Sequence, residues 1–142
     1  GNFNPDGSDY QAGNFTWTET YIHTAQQDWL SRELERAGER RALVFVHQNL
    51  HDETNPHGVK NAPEVRAILE RAGNVTAVFQ GHDHAGGLHT VNGIPYITFE
   101  AAVDGPGLEN NAFALVELDK GRMQVNGYGK QNSHSVRTAG ER

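Results

Sequence analysis

The chain alternates between segments whose apolar residues recur at helical spacing and short continuous apolar runs, separated by turn-rich stretches. From Thr24 onward, Ala25, Trp29, Leu30, Leu34 and Ala37 recur at steps of three and four, which predicts an amphipathic helix with Thr24 as N-cap and Gly38 at its stop. The run ALVFV, Ala42 to Val46, is short, apolar and rich in β-branched residues; it predicts a strand covered on both faces, and it ends in His47. After the polar stretch QNLHDETNPHGVK, the spacing of Val65, Ile68, Leu69 and Ala72 predicts a second helix closed by Gly73. VTAVF, Val75 to Phe79, predicts another buried strand, broken by Gln80 and Gly81. A strand-helix-strand unit of this spacing forms a right-handed parallel crossover.

Beyond it the pattern shortens. Segments 88–92, 95–101, 112–119 and 122–128 partly alternate and are separated by Asn92-Gly93, Gly105-Pro106-Gly107 and Lys120-Gly121, which predicts antiparallel hairpins. The expected class is α/β followed by β, in one domain over residues 1–142. Residues 1–20 are rich in Gly, Asn, Asp, Ser and Thr and read as a loop; 130–142 is polar and reads as a flexible tail.

Composition narrows the partners. With 12 Lys and Arg against 18 Asp and Glu, the net charge of −6 argues against nucleic acid, whose phosphates select a basic face. No apolar run approaches the roughly 18–20 residues of a helical membrane span, so no membrane partner is expected. The absence of cysteine excludes disulfides and thiolate metal sites and leaves the compartment open, cytoplasmic or exported. The eight histidines, several of them clustered, stand out.

The strongest chemical signal is GHDH, Gly81 to His84, placed directly after a buried strand. On an extended backbone His82 and His84 point to the same side, and Gly81 permits a sharp exit from the strand. His47 also ends a buried strand, and the crossover brings that end beside the other, so three imidazoles converge at the sheet edge where open α/β sheets bind ligands. Neutral imidazole is the commonest metal ligand and accepts Mn, Fe or Zn. A single such histidine is ordinarily just a polar strand end; the three together favour a metal site. His23, His51, His57 and His134 read as solvated residues. Gly86, Gly87 and His89 would stand at the mouth, either as a substrate wall or as an ordinary hairpin turn. The loop Gln48 to Lys60 either covers the site or is a solvated connection, and Trp17 and Tyr21 either stack on a base or pack at the helix start.

The strand ending VFVH, the strand followed by GHDH and the upstream helix QQDWLSREL resemble the C-terminal half of the calcineurin-like metallophosphoesterases. GHDHAGGLHTVNGIPYITFEAAVDGPGLENNAFALVEL is similar to the branch containing manganese-dependent ADP-ribose/CDP-alcohol diphosphatases, and the resemblance runs from about residue 14 to 129. It implies the C-terminal portion of a β-sandwich flanked by helices, and a metal-dependent hydrolase of small phosphoric esters or nucleoside-diphosphate-type substrates. Two divalent ions would clamp the phosphoryl group while a bridging water attacks in line. By the same resemblance His47 and His82 serve one metal and His84 the other, with Asp83 orienting an imidazole rather than ligating.

The family's D-x-H, G-D and G-N-H motifs, which supply the bridging carboxylate and the remaining ligands, do not occur in the chain. Three neutral ligands can hold one zinc-like ion, but not two cations about 3.5–4 Å apart. The chain is therefore expected to be a C-terminal portion, inactive alone, that self-associates or pairs with an N-terminal portion. Phe45, Val78, Phe79, Ile97 and Phe99 would then face water or that partner. The alternative is a non-catalytic metal-binding or interaction module using the same three histidines.

Overall fold

The computed structural model describes residues 16–138. The early loop expected over 1–20 and the tail's last four residues thus lie partly outside the described residues. Helix α1 spans Thr24–Ala37 and α2 spans Ala62–Ala72. Strands β1 (Ala42–Phe45), β2 (Val75–Gln80), β3 (Gly87–Val91) and β4 (Ile94–Thr98) form one sheet in the order β1-β2-β4-β3. In it β1, β2 and β4 run parallel, and β3 returns antiparallel to β4. Strands β5 (Ala112–Asp119), β6 (Arg122–Gly129) and β7 (His134–Arg137) form a second, antiparallel sheet.

The alternation of side chains along the central strands explains the layers. Val78 of β2 and Tyr96 of β4 face the helices, where they pack with Leu34, Val65, Ile68 and Leu69. Their neighbours Ala77, Phe79 and Ile97 face the other way, against Met123 and Val125 of β6. Buried on both sides, β2 and β4 read as continuous apolar runs for this reason. The result is a mixed α/β arrangement of a helical layer, a four-stranded sheet and a three-stranded sheet.

Several expectations change. Phe79, Val78 and Ile97 do not face water, because the chain's own helices and second sheet cover them. Of the residues expected to be bare, Phe45 is 73% exposed and Phe99 half-buried. Strand β1 is half-covered because it is the free edge of its sheet. The helix cap is His23, not Thr24: its Nδ1 accepts from Ala25 N–H at 3.2 Å. The supposedly flexible tail contains β7, which pairs with β6 and buries His134 Nε2.

Candidate metal and phosphate site

Parallel pairing puts the C-terminal ends of β1, β2 and β4 on one edge of the sheet. The chain leaves β1 through His47 and β2 through Gly81, and Gly81 N–H donates to the His47 carbonyl at 2.9 Å, tying the two exits together. The backbone does not stay extended through GHDH. Asp83 N–H donates back to the Gly81 carbonyl at 2.9 Å, closing a tight turn around His82, whose φ is +67°. A left-handed non-glycine residue costs on the order of 1–3 kcal/mol and is retained where surrounding contacts impose it.

Past the turn the two histidines take different partners. His82 swings toward β1, with its ring 5.1 Å from that of His47 and nearly edge-on. His84 goes outward to the loop after β4, where its Nδ1 lies 2.7 Å from Asp104 Oδ1. The Lys130 ammonium binds the other oxygen of Asp104. Among the described residues no group of three or more His, Asp or Glu is already arranged to hold a metal ion. The His47–His82 pair is formed, and His84, near His82, is held on the carboxylate of Asp104.

His82 Nε2 is buried and has no hydrogen-bond partner. Burial lowers the His82 pKa, and the neighbouring His47, His57 and His84 lower it further, so the neutral, ligating form is favoured. A buried imidazole nitrogen without a partner, beside a second imidazole, suits a divalent cation.

Two further residues join this cluster, His57, read as solvated, and Trp17, read as either a base-stacking or a packing aromatic. His57, from the loop after β1, stands edge-on to His82 at 5.4 Å and has its Nδ1 3.6 Å from Asp83 Oδ2. Trp17 stacks on His57 at 5.3 Å and meets His82 edge-on at 5.5 Å. Asp83 turns toward these residues: Ala85 N–H and the Asn55 amide donate to its carboxylate at 3.2 and 3.4 Å. Partial burial works to raise the Asp83 pKa, but the Ala85 N–H, the Asn55 amide and the His57 imidazole outweigh it and keep the carboxyl below its usual value. The imidazole nearest Asp83 is that of His57 rather than those of the flanking His82 and His84.

The loop Gln48 to Lys60 is pinned rather than loose. Leu50 and Val59 enter the core, Gln48 Nε2 donates to Thr20 Oγ1 at 2.7 Å, and Asn49 and Val59 are bridged by the backbone at 3.0 Å. This anchoring delivers His57 to the site and His51 to the mouth. His51 stacks on His89 with centroids 4.0 Å apart, and Gln80 Nε2 donates to His51 Nδ1 at 2.6 Å. Burial, then the neighbouring His89, lowers the His51 pKa. Gly86 has a packing reason to be glycine: its φ is +66° and a Cβ would lie 2.6 Å from the Glu100 carboxyl carbon. Gly87, with φ +150°, lies against the His89 ring.

The comparisons with known proteins point to phosphoester-hydrolysing relatives. The chain is 30% identical over 132 residues to a manganese-dependent ADP-ribose/CDP-alcohol diphosphatase of Oryza sativa subsp. japonica, covering 89% of this chain and 40% of that protein. The structure matches a crystal structure of a dimetal phosphatase from Danio rerio with a TM-score of 0.74 and 26% identity, over 85% of this chain and 40% of that one. No protein-family model matches the chain. The chain thus spans 40% of the length of each of these relatives and is related to metallophosphoesterases over that stretch.

Proposed function

We propose that the chain forms the histidine-bearing part of a metal-dependent hydrolase of phosphoric esters or nucleoside-diphosphate-type substrates, with His47, His82 and His84 as metal ligands. The observation that carries this reading is the buried, unpartnered Nε2 of His82, held beside His47 by a left-handed turn. Bound divalent ions would supply charge to the phosphoryl oxygens and a reactive water. The chain's own residues hold and screen that centre: the lowered pKa of His82 keeps its lone pair free, and Asp83 orients His57 toward the same space. The partly exposed face of Trp17 beside His57 suits stacking on a nucleobase, in keeping with the substrates in the name of the rice relative.

The bridging carboxylates would come from polypeptide outside these residues, seated on the free edge of β1. Support for this is the bare Phe45 and an apolar groove of about 800 Å³ between α1 and β1, lined by Trp29, Leu30, Leu34 and Val44. The test is hydrolysis of ADP-ribose and of a simple aryl phosphate, with Mn2+ and before and after chelation, by the chain joined to the polypeptide that supplies those carboxylates. Turnover abolished by chelator and by His82→Ala is expected. Metal binding without turnover of any phosphate ester would favour the non-catalytic metal-binding module, and chelator-resistant turnover would refute the metal-dependent reading.

A further inference from the structure

We propose that Asp104 is the positioning residue of His84, fixing its imidazole with Nδ1 protonated and Nε2 presented as a ligand; this rests on the metal reading above. A carboxylate only accepts hydrogen bonds, so the 2.7 Å contact between Asp104 Oδ1 and His84 Nδ1 requires the proton on Nδ1. A neutral ring then has its lone pair on Nε2, the far nitrogen. Metal-ligating histidines commonly rely on such a carboxylate at the opposite nitrogen to set tautomer and direction.

Asp104 is itself fixed. Lys130 occupies its second oxygen, and Lys130 leaves the end of β6, where its own N–H donates to the Asn111 carbonyl at 2.9 Å. The loop carrying Asp104 is stitched to the same turn: Glu100 N–H donates to Gln131 Oε1 at 3.1 Å, and Asn132 Nδ2 donates to Glu100 Oε1 at 2.7 Å. Ala101 N–H also reaches the His84 carbonyl at 3.3 Å, so the loop holds the histidine at both backbone and ring. The second sheet is thereby connected through Lys130 and Asp104 to a ligand of the site. His84 is otherwise exposed, and without Asp104 no contact described here would choose its tautomer.

The test is 15N NMR of the histidine side chains in metal-free protein, with His84 assigned by its loss in His84→Ala, alongside calorimetric Mn2+ and Zn2+ titrations of the same samples. The wild type is expected to show His84 as the Nδ1–H form, and Asp104→Ala to shift it toward the Nε2–H form that water favours. The same substitution should weaken metal binding about 10- to 100-fold. Lys130→Ala, which cuts the link to the end of β6 but leaves the carboxylate on His84, should keep the Nδ1–H form, whereas a merely structural link between loop and Lys130 would lose it as Asp104→Ala does. An unchanged tautomer in Asp104→Ala, with metal affinity held within about twofold, overturns the proposal and leaves the metal reading standing. A wild type that binds neither metal overturns that reading and the proposal together.

Discussion

Gln80 shows how much of the site's geometry depends on one buried amide. Its Oε1 accepts from Leu50 N–H at 2.9 Å, while Nε2 donates to Thr98 Oγ1 at 2.9 Å and to His51 Nδ1. It therefore joins β2, β4 and the loop that delivers His51 and His57. Gln80→Leu would strand the Leu50 N–H in the interior, and a loss of about 1–3 kcal/mol is expected in urea denaturation. A change below about 0.5 kcal/mol would mean that this network does not hold the loop. Tyr96 offers the opposite case, since its buried hydroxyl has no partner. Burial, reinforced by Glu70, raises its pKa from 10.0 to about 12. The folded state thus holds this proton more tightly, so the contribution to stability is complete below pH 10 and is lost as pH rises toward 12. Tyr96→Phe should remove that alkaline fall and leave the protein at least as stable at pH 7, which chemical denaturation across the two pH values checks. At this scale the sequence exposed His47, His82 and His84 through their positions after apolar strands. It hid His57, because what brings it to His82 is the anchoring of a polar loop by long-range hydrogen bonds, which has no periodic signature, and it left Trp17 between stacking on a base and packing.

Elements were most legible where one residue type determines the outcome. Gly38 and Gly73 end the helices, and Asn92-Gly93, with φ of +49° and +83°, makes the turn between β3 and β4. The parallel pairing of β1 and β2 follows from the helix between them. Strand β7 was not legible: His134, Ser135, Val136 and Arg137 carry one apolar side chain, and pairing with β6 makes them a strand. The extended reading of GHDH failed for a related reason. The backbone bond from Asp83 to Gly81 and the packing of His82 on His47 outweigh the local preference against a left-handed residue. The turn that follows sets a clear test in Gly86→Ala. Its φ of +66° and the crowding against Glu100 should together cost at least about 1–2 kcal/mol, read from the thermal midpoint. An unchanged midpoint would show that the Glu100 segment yields freely. In the centre of the sheet, Ile97 is wholly buried between β2 and β6, and Ile97→Ala should cost about 2–5 kcal/mol in urea denaturation.

For the whole molecule, the second sheet has two roles. Met123 and Val125 close the face of the main sheet that the apolar run of β2 left open, and the turn after β6 sends Lys130 to Asp104 at the edge of the site. An open surface remains at the edge of β1, where Phe45 stacks on Phe79 but is largely bare. The relatives are longer than this chain, and the proposed completion of the metal site would use that edge. The proposed metal centre depends on the unpartnered Nε2 of His82 being a ligand. X-ray absorption at the metal edge, on protein loaded with Zn2+ and compared with His82→Ala, tests it most directly. At least two imidazole nitrogens at roughly 2.0–2.1 Å are expected in the wild type, and one fewer, with weakened binding, in the variant. An ion bound with the same imidazole count in both proteins would contradict it.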